Sequence, residues 1–198
     1  MKTKILKLST VILFLLFIGA SCQDDEDLFE IQIGDENAVI QKEIDGIEFK
    51  FCLLNDDGEP STVFNEGENF TFQFSIKNNT KDTLPFSDYG FYKLNDFYAV
   101  KSIDNYYGKP FSFVNNAYSE NLRMLPPGEE YYKLIVPWHD EREDWVYFWA
   151  EFESTKQPLL NKGKYYTQFA YAFLFGKPFW EPELITDTIR FKINFEVK

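Results

Sequence analysis

The stretch Asn69-Phe70-Thr71-Phe72-Gln73-Phe74-Ser75-Ile76-Lys77-Asn78-Asn79 decides the fold. Phe70, Phe72, Phe74 and Ile76 fall on one side of an extended chain, and Thr71, Gln73, Ser75 and Lys77 on the other. This is the period of two that a half-buried β-strand requires. Asn78-Asn79 then supplies residues that favour a turn. The alternation returns at the end of the chain. Ile189, Phe191, Ile193, Phe195 and Val197 point one way, while Thr188, Arg190, Lys192, Asn194 and Glu196 point the other.

Working outward, strands are predicted at Glu48 to Leu54, Glu129 to Val136, Trp145 to Phe152 and Lys164 to Phe175. Shorter ones are predicted at Glu30 to Ile33, Thr83 to Phe86, Phe97 to Ile103 and Phe111 to Val114. Asn55-Asp56-Asp57-Gly58, Asn65-Glu66-Gly67, Pro126-Pro127-Gly128 and Asn161-Lys162-Gly163 lie between them and provide left-handed or proline-fixed positions. No window holds a 3.6-residue period of good helix formers. The reading is all-β, two antiparallel sheets packed as a sandwich.

The first 21 residues stand outside this pattern. Lys2, Lys4 and Lys7 precede an apolar run, Leu8 to Ile18, that is short for a bilayer span of about 20 residues. Ile18-Gly19-Ala20-Ser21-Cys22 resembles the lipobox of bacterial lipoproteins. That resemblance implies a cleaved signal peptide over residues 1–21 and makes Cys22 the lipidated mature N-terminus, a membrane anchor. Gln23-Asp24-Asp25-Glu26-Asp27 is similar to the export signals of Bacteroidetes-type surface lipoproteins, which implies display on the outer face of the outer membrane, with a periplasm-facing anchor as the second choice. A solvated acidic tether over residues 22–30 explains the same run by charge alone. The folded domain is expected over residues 31–198, with an aromatic-rich insert near 87–120.

Cleavage takes away three lysines and moves the formal charge from −12 to −15. A chain this acidic does not bind nucleic acid by neutralising phosphates, which needs clustered Lys and Arg. With Cys22 lipidated, Cys52 has no partner for an internal disulfide and is expected as a small buried hydrophobe. Stability must then come from the core. The 20 Phe, 12 Tyr and 4 Trp that remain after cleavage make a large one feasible.

Three segments carry a further resemblance. They are Asn69 to Asn79, Leu125-Pro126-Pro127-Gly128-Glu129 leading into Tyr131-Tyr132-Lys133-Leu134, and Leu160-Asn161-Lys162-Gly163-Lys164-Tyr165-Tyr166. Their order is similar to the Bacillus intracellular proteinase inhibitor-like domains and implies an immunoglobulin-like sandwich. Asn161 replaces the family's proline, the insert interrupts the pattern, and no reactive-site residue carries over.

Catalytic chemistry finds little support. His139 is the single histidine, in Pro137-Trp138-His139-Asp140-Glu141-Arg142-Glu143-Asp144, without a nucleophile motif beside it. The neighbouring acids alternate in direction and enclose Arg142, so a loop explains them better than a divalent-metal site. No catalytic residue, metal or cofactor is assigned. The aromatics are more suggestive. Tyr106-Tyr107-Gly108-Lys109-Pro110-Phe111 and Phe175-Gly176-Lys177-Pro178-Phe179-Trp180 share an aromatic-Gly-Lys-Pro-Phe string. Gly and Pro place these segments in loops or at strand ends. Tyr106, Tyr107, Phe179 and Trp180 are therefore candidate ligand-binding residues at a rim, or else satellite core over the sandwich ends. The expected function is a non-enzymatic, membrane-anchored surface lipoprotein that binds a glycan or protein partner. The alternatives are a proteinase inhibitor or a structural subunit of an envelope complex.

Overall fold

A computed structural model describes residues 28–88, 94, 96–110, 122–139, 159–176 and 184–198. Among these the chain is all-β, with β1 (Leu28–Ile31), β2 (Val39–Ile44), β3 (Ile47–Leu54), β4 (Val63–Phe64), β5 (Thr71–Asn78), β6 (Leu84–Ser87), β7 (Val100–Lys101), β8 (Tyr106–Gly108), β9 (Leu122–Leu125), β10 (Glu130–Pro137), β11 (Gly163–Tyr171), β12 (Leu174–Phe175), β13 (Leu184–Ile185) and β14 (Ile189–Val197). The expected strands at Trp145 to Phe152 and Phe111 to Val114 lie outside the described residues.

Three sheets form. One runs β1-β14-β11-β7-β8 with β4 also paired to β14, a second runs β10-β5-β3-β2, and a small third runs β13-β12-β6-β9. Most pairings are antiparallel, but β1 and β4 both run parallel to β14. The mixed pairing departs from the expected purely antiparallel arrangement. β14 can accept two parallel neighbours because they use different lengths of it: Leu28 to Ile31 lie beside Arg190 to Ile193, and Val63-Phe64 beside Glu196-Val197. Strand pairing starts at Leu28, already inside the stretch read as tether.

The alternation read from the sequence sets the core. Phe72, Phe74 and Ile76 of β5 are fully buried, as are Phe49 and Phe51 of β3 and Phe191, Ile193 and Phe195 of β14. The first two sheets meet face to face through these rings. Phe51 is 6.3 Å from Phe191 and 5.3 Å from Phe169, and Phe74 is 5.9 Å from Phe191, each edge to face. That geometry places ring edges on ring faces and adds roughly 0.5–1.5 kcal/mol per pair to the burial itself. The small sheet closes on β10 through Phe86, whose ring lies 5.3 Å from Tyr132.

Two predicted strands are reorganised. Phe97 to Ile103 contains only the two-residue β7, because Phe97, Tyr98 and Ala99 are all fully buried in succession and cannot alternate. Tyr98 instead takes a left-handed backbone (φ 58°) within a turn. Lys164 to Phe175 divides between β11 and β12, which belong to different sheets, with Phe173 buried between them.

Candidate functional site

The β7–β8 hairpin carries the two candidate tyrosines that the structure describes. Its tip is closed by the Ser102 amide, which donates to the Asn105 carbonyl at 2.8 Å. Adjacent residues of a strand point to opposite faces, and Tyr106 and Tyr107 accordingly part company. Tyr107 is half-buried, with its ring edge-on to Tyr165 at 5.2 Å. Tyr165 stacks on Phe195 at 5.5 Å, Phe195 lies 5.2 Å from Phe70, and Phe70 stacks on Trp138 at 5.6 Å. Tyr107 is thus the outermost ring of an aromatic file rooted in the core. Burial, and then the neighbouring Tyr107, pushes the Tyr165 phenol above its ordinary value. The Tyr165 hydroxyl also donates to the Asn161 carbonyl at 2.7 Å, holding the turn before β11.

Tyr106 presents itself to solvent and is 54% exposed. The two sequence expectations for this pair, rim or satellite core, are divided between neighbours. Phe179 and Trp180 lie outside the described residues, as do Cys22 and the Gln23-Asp24-Asp25-Glu26-Asp27 run.

Sequence reasoning missed Ile103. It read as the end of a strand, yet it sits at the hairpin tip and is 96% exposed. The available signal was its setting, since Ser102-Ile103-Asp104-Asn105 is otherwise a polar turn. Both lysines of this hairpin are engaged. Lys101 meets Asp96 at 2.7 Å, and the buried Lys109 ammonium donates to the Leu94 carbonyl at 2.7 Å.

Elsewhere the polar groups serve structure. The Asn69 side chain accepts from the His139 amide at 3.1 Å and donates to the His139 carbonyl at 2.8 Å, tying the end of β10 to the start of β5. Asp88 has a buried side chain and accepts from Arg123 Nε at 2.9 Å, while the Arg123 guanidinium lies 5.3 Å from the centre of the Tyr132 ring. Cys52 is 2% exposed, and desolvation pushes its thiol up from 9.0 to about 11, which suits a packed hydrophobe and opposes nucleophilic use. Among the described residues no group of three or more His, Cys, Asp or Glu is placed to hold a metal ion.

A cleft of about 210 Å³ opens beside Leu28, Asp96, Gln168, Phe169, Ala170, Arg190 and Phe191. It is smaller than the roughly 300–1,000 Å³ of most ligand pockets, and its two aromatic residues, Phe169 and Phe191, are buried core rings. No protein-family model, curated protein or solved structure matches this chain.

Proposed function

We propose that this protein is a membrane-anchored, non-enzymatic lipoprotein whose domain, an immunoglobulin-like β-sandwich, serves at the cell surface as a binding or accessory module for a glycan or protein partner. Cys22 carries the lipid, Gln23 to Asp27 the export signal, and Tyr106, Tyr107, Phe179 and Trp180 the contact aromatics.

Strand order supports the domain reading. In immunoglobulin sandwiches the first, second and fifth strands share one sheet, and the third, sixth and seventh share the other. Taking β3, β5, β7, β10, β11 and β14 as strands one, two, three, five, six and seven reproduces both sets of neighbours: β3-β5-β10 and β7-β11-β14. β2 and β8 then extend the edges, and the third sheet is an addition.

The single observation that carries the binding role is the half-exposed Tyr106 on a hairpin whose other tyrosine is half-buried and packed against the core. An aromatic ring held on a rigid base loses little conformational entropy when it meets a ligand. Binding of the purified domain to a glycan array tests this: the signal on any ligand found falls with Tyr106→Ala at unchanged thermal stability. A signal untouched by Tyr106→Ala, with Trp180→Ala equally silent, removes the aromatic site. Cell fractionation of Cys22→Ser tests the anchor. The variant leaves the membrane fraction, and its retention there would refute lipidation at Cys22.

A further inference from the structure

We propose that the outer face of the first sheet binds a neutral glycan, with Tyr166 and Tyr106 against sugar rings and Asp96, Gln168 and Arg190 on sugar hydroxyls. This deepens the surface-module reading, on which it rests, by choosing glycan over protein and by extending the site beyond the hairpin.

Register assembles the face. Residues opposite each other in neighbouring strands project from the same side of a sheet. Tyr166 of β11 lies beside Lys101 of β7, and Lys101 lies beside Tyr106 of β8. The two tyrosines therefore share one side, two strand spacings or about 10 Å apart. Tyr106 is half-exposed and Tyr166 half-buried. Gln168 and Ala170 follow Tyr166 at intervals of two along β11 and project from that same side. Beside Ala170 stands Arg190 of β14, and beside Arg190 stands Leu28 of β1. Asp96 reaches the same place from the turn before β7. Ala170 is exposed and carries only a methyl group, so the side chains around it wall a notch, the cleft of about 210 Å³. At about 30 Å³ per water, that is the space of roughly seven waters, which suits one sugar ring better than a larger ligand.

Charge and polarity select the occupant. Lys101 meets Asp96 at 2.7 Å, Lys192 meets Glu30 at 2.7 Å, and Lys164 stands beside Glu196 in register. These cations are matched by acids of their own surroundings, so the face is close to neutral on a chain of formal charge −12. A neutral ligand complements it, and a polyanion gains little there. Among the described residues, the only exposed large hydrophobics on this face are Leu28 and Tyr106. Leu122 and Met124 belong to the third sheet, Ile135 to the second and Ile103 to the hairpin tip. An apolar protein surface therefore meets no contiguous patch on this face. The tyrosine rings instead present π faces that suit the C–H faces of a sugar. Asp96 accepts from Lys101 through Oδ1, which leaves Oδ2 as an acceptor beside the Gln168 amide and the Arg190 guanidinium. Acceptors and donors then converge on one notch, as hydroxyls that both donate and accept require.

The test is retention of the full-length protein, in detergent, on immobilised xyloglucan, laminarin, mannan and pullulan, with heparin and polygalacturonate as acidic comparisons. The expected result is retention on at least one neutral polymer, unchanged when salt is raised to about 1 M. Tyr166→Ala should weaken that binding about tenfold, and so should Ala170→Trp, which fills the notch from an exposed position. Both should leave the unfolding midpoint unchanged, and if Tyr166→Ala unfolds the chain, Ala170→Trp decides alone. Met124→Ala, on the third sheet, should bind as the parent does. Retention on no neutral polymer, retention on the acidic polymers only, or full retention of Ala170→Trp would each overturn the proposal. Binding lost with Tyr106→Ala but kept by Tyr166→Ala and Ala170→Trp would overturn it too, while leaving the rim aromatics in place. Fractionation of Cys22→Ser judges the anchor independently.

Discussion

Tyr98 and Leu134 are joined across the core: the Tyr98 hydroxyl donates to the Leu134 carbonyl at 2.9 Å. The Tyr98 ring stacks on Phe72 at 4.5 Å and on Phe97 at 4.0 Å. One side chain thereby links the turn before β7, the central strand β5 and the terminal strand β10 of the second sheet. It does so from a left-handed backbone that costs a non-glycine residue roughly 1–2 kcal/mol, so the surrounding contacts must outweigh that strain.

Removing this link in two steps should separate its parts. Tyr98→Phe keeps the stack but leaves the Leu134 carbonyl without the hydroxyl, at a cost of about 1–2 kcal/mol. Tyr98→Ala also opens a cavity among Phe51, Phe72 and Phe97, and should cost about 3–5 kcal/mol. Urea unfolding midpoints measure both. Equal losses for the two variants would show that the hydroxyl, and not the stack, dominates.

Cys52 should make stability fall in alkali. The folded thiol titrates near 11, against an ordinary value of 9.0. Below pH 9 both states hold the proton and nothing is lost. Between pH 9 and 11 the unfolded state releases it and the folded state does not, so stability declines, by on the order of 2–3 kcal/mol at most. Cys52→Ala should flatten this part of the pH profile relative to the parent. A thiol reagent should react with Cys52 only at the unfolding rate, and rapid labelling of the native protein would contradict its burial.

At the other extreme of pH, β1 should release first. Hydrogen bonds from Lys192 and then Asn194 hold the Glu30 carboxyl below its ordinary value. Lys192 Nζ is 2.7 Å from Glu30 Oε1, and Asn194 Nδ2 donates to the same oxygen at 2.8 Å. A carboxyl with a lowered folded pKa contributes stability above its unfolded value of 4.5, and that contribution is lost as pH falls below it. Protection of the Leu28–Ile31 amides, taken relative to the intrinsic exchange rate at each pH, should therefore fall in acid before that of β5 does. Glu30→Gln should abolish the difference, and a β1 that opens identically in both proteins would disprove the linkage.

Two glycines in similar backbone conformations should respond differently to alanine. Gly46 (φ 77°) and Gly58 (φ 78°) both occupy the left-handed region, so either substitution is strained by about 1 kcal/mol. A Cβ on Gly46 would also come within 2.9 Å of Thr80 Cγ2, whereas one on Gly58 meets nothing within 4 Å. Gly46→Ala should be the more destabilising of the two in thermal melts. A reversal of that order would mean that Thr80 moves aside freely.

Much of the framework is readable from local pattern. β5 and β14 fall where alternation placed them, β3 and β10 overlap the strands predicted at Glu48 to Leu54 and Glu129 to Val136, and the Asn55–Gly58 turn closes with the Gly58 amide donating to the Asn55 carbonyl at 2.9 Å. The Asp45-Gly46 turn between β2 and β3 went unread although both residues carry the left-handed conformations that Asp-Gly hairpins favour. Of the candidate site, the pair Tyr106 and Tyr107 was legible but its division was not. Which of two adjacent tyrosines packs depends on Tyr165, far away along the chain.

By itself, the sequence determined that this is an all-β chain, because strand alternation and turn chemistry are properties of neighbouring residues. It also supplied the expectation of a lipid anchor at Cys22, written in the order of residues and independent of any fold. The tertiary structure alone decided that β1 and β4 share β14 in parallel, that Tyr98 adopts a left-handed turn to reach Leu134, and that Ile103 stands at an exposed tip. Each of these depends on contacts between segments remote in the chain. Packing can override local preference where enough buried surface repays the strain, and no window of neighbouring residues records that balance.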